Sequence, residues 1–366
     1  MKKLATIIVL VHDHAKISLE CFESIERYTD LSTYEVLIVN NGSSSFEAKI
    51  LKVGLTRFRK LPHKVINLPK NLGFSKAANI AAKEAHSQFL VFLNNDTVVT
   101  KNWLLDLLVF MEKDPKVAAC GPKIHSWQHR EYFDYAGGAG GFLDIFGYPF
   151  TRGRVFDFIE KDKGQYDTKC EISWASGVCL VVRKKVFDQL RGFDEYFFAY
   201  LEEIDLCLRL RQKGYKIFCV PQSLVYHLGA ATSNRNLLLK TYLNHHNSLY
   251  LILKNYSIWP YLPLLVIRLF LDLAAIFYYL SRGQLSFVLA VFGSFFKILM
   301  SLPHFVTSGV VTFKGRSLIQ VEGIFKGSIV FEYFFRGRKT FHCIMSGSKL
   351  KAVDHLDYRS ITYFET

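Results

Sequence analysis

Gln88-Phe89-Leu90-Val91-Phe92-Leu93-Asn94-Asn95-Asp96 sets an apolar run directly against two amides and a carboxylate. A short apolar run bounded by polar residues reads as a buried β-strand. A polar triplet at the carboxyl end of such a strand lies where an open α/β sheet binds its ligands.

Working outward, the runs Thr6–Val11, Glu35–Val39, Lys64–Asn67 and Val117–Cys120 repeat the strand pattern, with helical patterns between them. Strand, helix, strand alternation predicts an α/β fold on a mostly parallel, doubly wound sheet. Asn40-Asn41-Gly42-Ser43 and Asn71-Leu72-Gly73 follow the second and third strands as Asn94-Asn95-Asp96 follows the fourth. Three polar loops are therefore expected at one rim.

Lys123 to about Asp167 loses the alternation and holds the cluster Gly137-Gly138-Ala139-Gly140-Gly141, so an irregular insertion is expected there. That cluster lacks a following lysine and reads as a turn, not as a phosphate loop. Pattern returns with a strand at Val178–Val182, the loop Gly192-Phe193-Asp194-Glu195, a helix from Glu202 to Lys213 stopped by Gly214, and a strand at Lys216–Val220.

Past Asn255 the composition changes, with Ile258–Leu280 and Ser286–Leu302 strongly apolar. The expected division is a first domain over 1–255, an apolar helical segment over 256–305 and a basic tail over 306–366. Arg268 and Asp272 sit i, i+4 in the first apolar run and can pair there. A hairpin embedded in or lying on a membrane is the favoured reading; an amphipathic core pair is the alternative.

Met1-Lys2-Lys3 before Leu4–Val11 imitates a signal peptide, but the apolar run is short and ends at His12-Asp13-His14. It reads as the first strand. The seven cysteines are scattered and never spaced as a zinc or redox pair, as befits reduced thiols in the cytosol. A formal charge of +14 attracts nucleic acid, membranes and anionic substrates alike. No nucleic-acid motif accompanies it, which leaves a membrane surface or a phosphate-bearing ligand.

Among residues able to do chemistry, Asp96 offers one hard oxygen ligand for Mg2+ or Mn2+, or else caps a helix over Thr97–Asp106. Glu202, Glu203 and Asp205 crowd where an aromatic loop meets a helix, and such crowding raises at least one pKa. Glu203 or Glu202 could then act as a general base, and Asp205 is a further catalytic candidate or else simply pairs with Arg209. His227, at the end of a remote strand, is either a further metal ligand or a structural histidine.

The ordered set Val39-Asn40-Asn41-Gly42-Ser43, Asn71-Leu72-Gly73-Phe74 with Asn79, Leu93-Asn94-Asn95-Asp96, Trp174-Ala175-Ser176-Gly177, Gly192-Phe193-Asp194-Glu195, Glu202-Glu203-Ile204-Asp205-Leu206 with Arg209, and Tyr226-His227 resembles the family 2 glycosyltransferases, most of all their rhamnosyltransferase-like branch. The resemblance covers roughly residues 5–255 and implies a GT-A fold. It implies that Val11, Asp13, Asn40, Asn71, Gly73, Asn79, Asn94, Asn95 and Asp96 face a nucleotide-sugar donor. It further implies that Asp96 and His227 hold the metal, that Glu203 is the base, and that Trp174 and Gly177 border the acceptor.

Three positions depart from the pattern: the first strand ends Val11-His12-Asp13, Asn40 stands for an aspartate that reads the donor base, and Glu203 stands where aspartate is commoner. The expected reaction is inverting transfer of a sugar, rhamnose from dTDP-rhamnose as first choice, to a lipid-linked saccharide or polysaccharide in cell-surface glycan assembly. The expected place is the cytoplasmic face of a bacterial inner membrane. Two rivals are a polyprenyl-phosphate glycosyltransferase and an inactive membrane-associated scaffold of the same fold.

Overall fold

The structure is a computed structural model that describes residues 3–229, 237–256, 258–310 and 323–346. The first half alternates as expected: β1 (Ala5–Val11), α1 (Ala15–Tyr28), β2 (Tyr34–Asn41), α2 (Ser45–Leu55), β3 (His63–Leu68), α3 (Phe74–Glu84) and β4 (Phe89–Asn94). β1 lies between β2 and β4, parallel to both, and β3 continues the sheet beyond β2. Apolar residues on both faces of these strands pack beneath helices, as a buried parallel sheet demands.

Asp96 is followed by a short strand, β5 (Thr97–Val99), and α4 begins only at Trp103 and runs to Lys113. The helix expected over Thr97–Asp106 is thereby corrected, and Asp96 is no helix cap. β5 forms because its backbone pairs with the far end of a long strand, Thr97 opposite His227.

That strand is β13 (Lys216–His227), which lies parallel to β6 (Val117–Ser126). Both run further than expected, past Pro122 and Pro221, which remove a ladder donor and read as strand ends. A register irregularity between Val220 and Leu224 takes up Pro221 and lets the chain run on to His227.

The insertion is not irregular throughout. It holds four short strands, β7 (Gly141–Asp144), β8 (Pro149–Thr151), β9 (Arg154–Val155) and β10 (Phe158–Ile159), as a second, small sheet. The main sheet is completed by β11 (Cys170–Glu171), antiparallel to β13, and β12 (Cys179–Arg183), antiparallel to both β4 and β6. α5 (Lys184–Gln189) and α6 (Glu202–Gln212) follow.

α7 (Leu237–Asn255) packs against α6, and the apolar α8 (Ile258–Ser281) and α9 (Leu285–Thr307) form a hairpin, α9 lying on α7. Arg268 and Asp272 on α8 pair at 3.0 Å as expected, and both are buried. Arg268 also donates to Phe146 O at 2.9 Å and to Ser248 Oγ at 2.5 Å. The charged pair thus faces the protein, while Phe270, Phe277, Leu289, Phe296 and Leu299 stand exposed on the outer side.

Of the expected basic tail, residues 311–322 and 347–366 lie outside the described residues. The rest does not trail away. β14 (Ile324–Phe325) pairs parallel with β7 and closes the small sheet. A π-helical turn (Phe331–Phe335) and α10 (Phe341–Met345) follow, Phe341 packing on Phe142 and Phe150 of the small sheet. Asp144 joins the two segments: it accepts hydrogen bonds from Phe146 N at 3.0 Å, Tyr148 N at 2.8 Å and Ile329 N at 3.0 Å.

Candidate active site

β4 ends in Asn94, and its backbone N–H donates to Val178 O at 3.0 Å, bringing the Trp174–Gly177 loop beside the polar triplet. Asp96 is buried, and its carbonyl accepts from Leu228 N at 3.0 Å. The β13 pairing then sets His227 Nε2 3.2 Å from Asp96 Oδ1. Sequence reasoning named both residues of this pair.

It missed Asp134, whose Oδ1 lies 3.0 Å from His227 Nδ1. Asp134 sits in the insertion with no local pattern to announce it, and only the fold brings it to the imidazole. Burial opposes a charge on His227, but the flanking carboxylates Asp96 and Asp134 outweigh it and push its pKa up to about 10.

A carboxylate on one ring nitrogen fixes the other to face a ligand, an arrangement common behind metal-bound histidines. With a divalent cation in place of the Nε2 proton, Asp96 and a neutral His227 would fit as a partial donor set. Among the described residues no three His, Cys, Asp or Glu side chains form a cage. Remaining ligands would have to come from a diphosphate and water, as is usual for Mg2+ at phosphate sites.

Glu202 and Glu203 open α6 after Tyr200 and Leu201, both left-handed with φ 71° and 69°. The Oε2 atoms of both glutamates are shielded from solvent and have no hydrogen-bond partner among the described residues. Desolvation raises the pKa of each, and Glu203 beside it raises Glu202 further. Glu203 is partly relieved by backbone N–H groups, that of Gly177 included.

A Cβ on Gly177 would come within 3.9 Å of Glu203 Cδ, so the small residue leaves the carboxylate approachable. Val178 links this loop to β4, hence the acid pair and the Asp96–His227 pair share one rim.

Asp205 differs. Its buried carboxylate receives Arg209 Nε at 2.8 Å, Lys254 Nζ at 2.9 Å and Asn255 Nδ2 at 3.2 Å. The expected pairing with Arg209 is present, and these bonds tie α6 to α7, which gives Asp205 a structural place instead of a catalytic one.

The donor-side residues split in the same way. Asn40 Nδ2 donates to Asn67 Oδ1 at 3.0 Å, and its Oδ1 accepts from Ser43 N at 3.2 Å, on the rim as expected. Asn71 turns back on its own loop, accepting from Gly73 N at 2.9 Å and from Asn41 Nδ2 at 3.1 Å. Asn41, not singled out in sequence, also receives Leu72 N at 2.9 Å and so staples two loops together. Gly73 has φ 79°, and a Cβ there would lie 2.4 Å from Phe198 O, so only glycine fits.

Val11 is a buried strand end, and Asp13 is left-handed at φ 58° with its carboxylate accepting from Ser44 N at 2.9 Å. Asn95 donates to Ser18 Oγ at 2.9 Å, on the α1 side. Asn79 is corrected: its amide bonds Phe193 O and N, both at 2.9 Å, and so shapes the Gly192–Glu195 loop. Trp174 is also corrected: its indole is buried over Gly141 and donates to Phe142 O at 2.9 Å, leaving Gly177 as the open residue of that loop.

Residues 6–191 match the family model described as glycosyl transferase family 2. Over 232 residues the chain is 31% identical to an O-antigen biosynthesis protein of Myxococcus xanthus, covering 62% of this chain and 17% of that one. Over 94 residues it is 38% identical to an N-acetylglucosaminyl-diphospho-decaprenol L-rhamnosyltransferase of Mycobacterium tuberculosis, covering 25% and 30% of the two chains. The chain thus spans 17% and 30% of the length of these relatives. GalNAc-T7, solved with UDP, GalNAc and Mn2+, shares the fold with a TM-score of 0.55 at 17% identity, covering 70% of this chain and 48% of that one. On the family match and the α/β architecture, the chain belongs to the family 2 glycosyltransferases and has the GT-A fold.

Proposed function

We propose that this chain is an inverting glycosyltransferase that moves a sugar from a nucleotide donor to a lipid-linked or polysaccharide acceptor in cell-surface glycan assembly. The observation that carries the reading is the buried Glu202–Glu203 pair, its Oε2 atoms without hydrogen-bond partners among the described residues, on the same rim as Asp96 and His227. Buried, unsatisfied carboxylates are costly for a fold and are kept where chemistry uses them.

Glu203 takes the proton of an acceptor hydroxyl as that oxygen attacks the anomeric carbon. The bond from that carbon to the donor diphosphate breaks on the opposite face, which inverts the centre. A raised pKa suits the glutamate to this, and a positioned base contributes about 10²–10⁴-fold. Asp96 and His227 would hold Mg2+ or Mn2+, which when bound neutralises charge on the departing diphosphate. Asn40 and Asn71 would line the base and sugar side of the donor, and Gly177 the acceptor.

Rhamnose from dTDP-rhamnose is the first choice of donor, in keeping with the rhamnosyltransferase among its relatives. The exposed apolar face of α8 and α9, each long enough to cross a bilayer, supports membrane association, for which the cytoplasmic face of the inner membrane is our choice of side. We retain 256–305 as a membrane-associated helical segment and assign the described part of 306–366 that pairs with β7 to the catalytic domain.

The test is nucleoside diphosphate release by the detergent-solubilised chain from a panel of dTDP-, UDP- and GDP-sugars, with an N-acetylglucosaminyl-diphospho-lipid as acceptor. It is run with Mg2+, Mn2+ or EDTA. Metal-dependent release that is lost in Asp96→Ala and Glu203→Gln supports the reading. Full activity of Glu203→Gln would favour transfer to a lipid phosphate, which needs no base, and absent donor binding would favour a scaffold.

A further inference from the structure

The acid pair stands on a stretch of backbone that cannot hold itself. Tyr200 and Leu201 are consecutive non-glycine residues at positive φ, a conformation that persists only under outside constraint. The constraint comes from two sides. Phe74 N, at the start of α3 and beside the donor-side Gly73, donates to Phe198 O at 2.6 Å.

From the other side Asn247 of α7, fully buried, donates through Nδ2 to Ala199 O at 2.7 Å and to Tyr200 O at 2.8 Å. Both amide protons are thus used on successive carbonyls, with only Leu201 between them and the two glutamates.

The rest of the amide is fixed as well. With both protons committed, Asn247 Oδ1 must accept, and His246 Nδ1 lies 3.0 Å from it. That places the proton of His246 on Nδ1 and leaves Nε2 to accept from the Tyr196 hydroxyl, 3.3 Å away. Burial keeps His246 below its ordinary pKa, consistent with the neutral ring. The Tyr196 hydroxyl in turn lies 3.2 Å from Ser301 Oγ on the apolar helix α9.

We propose that Asn247 is a positioning residue for the transfer reaction: it locks the left-handed turn at residues 199–201 and thereby fixes where the Glu203 carboxylate meets the acceptor hydroxyl. The assignment rests on reading Glu203 as the base. Asn247 is fully buried and its amide is spent on the chain itself, so it acts on the rate of the chemical step and not on donor affinity.

The experiment compares Asn247→Ala, Asn247→Asp, Glu203→Gln and the double variant Asn247→Asp/Glu203→Gln in the full chain. For each, donor-binding-competent protein is titrated with the nucleotide sugar that the panel shows to be turned over, and kcat is expressed per competent molecule. Misplacement of a catalytic group by about 1 Å lowers a rate about 100-fold, so a 10- to 100-fold fall in kcat at unchanged donor Kd is expected for both single variants, with no further loss in the double variant.

A merely structural asparagine would lower the competent fraction and leave kcat per competent molecule unchanged, and that result overturns the proposal. Losses that multiply in the double variant overturn it too, because Asn247 would then act through another group. Should Glu203→Gln keep full activity, the reading of the base fails and the proposal with it, a result separable from the others because it needs no change at Asn247.

Discussion

His227 and Asp96 come from strands far apart in the chain, yet Nε2 of one stands 3.2 Å from Oδ1 of the other, with Asp134 bonded to the opposite edge of the imidazole. The pairing of β5 with β13 brings them together. Asp134 orients the ring and should be felt only through it. Asp134→Asn is expected to weaken Mn2+ activation by about 10- to 100-fold while leaving the saturated rate nearly intact, read by titrating metal against turnover. An unchanged metal midpoint would remove Asp134 from the site.

Desolvation lifts Glu203 above the ordinary carboxylate range, so the base form appears later on raising the pH than a free glutamate would allow. The kcat/KM profile should therefore climb with pH through a limb lying above that range. Glu203→Gln should abolish the limb and lower the rate by about 10²–10⁴-fold.

The same shift has a stability consequence with a definite sign. A carboxyl whose folded pKa is raised favours the fold below its unfolded pKa, and that benefit is lost as pH rises through the folded value. For Glu202, raised by burial and by Glu203, neutral pH is thus the unfavourable side. Glu202→Gln should raise Tm at neutral pH by roughly 2–4 °C, with the gain vanishing in acid. A variant less stable than the parent at neutral pH would contradict this.

Gly73 joins the donor loop to the aromatic loop before the acids, and a Cβ there would lie 2.4 Å from Phe198 O at a φ of 79°. Gly73→Ala must displace one loop or the other. Turnover is expected to fall by about 100-fold, with weaker donor binding as well, since both loops share the contact. Isothermal titration beside kinetics will show whether both parameters move.

Arg268 and Asp272 form a buried pair at 3.0 Å inside an otherwise apolar helix. Removing one partner leaves the other charge buried. Arg268→Leu alone should destabilise the chain by about 3–5 kcal/mol, whereas Arg268→Leu with Asp272→Leu should cost much less. Thermal unfolding in detergent of the two variants, compared directly, decides it.

The parallel sheet was legible because β1, β2 and β4 are short apolar runs followed by polar residues, a pattern set by local burial. β6 and β13 were read too short because proline normally ends a strand, and only the bulge near Val220 lets the chain pass Pro221 to reach His227. The small sheet escaped notice since its strands span two to four residues, too few for any periodicity to show. Within the site, Asp96, His227 and the glutamates stand beside strand or helix ends and could be named. Asp134 and Asn247 could not, for their partners are tertiary. Asn79, Trp174 and Asp205 were given direct roles because sequence shows which residues are polar or aromatic, not where their bonds are spent.

β14 returns to pair with β7 after the apolar hairpin has left and come back. In topological terms α8 and α9 are a loop inserted into the catalytic unit, with both ends moored to the same body. Truncation at 255 would therefore strip a strand from the small sheet and bare the edge of β7. If the hairpin enters a bilayer, its two ends must emerge on one side, so it crosses an even number of times or not at all. The catalytic domain, with the site on its rim, then stays wholly on the side from which the hairpin departs.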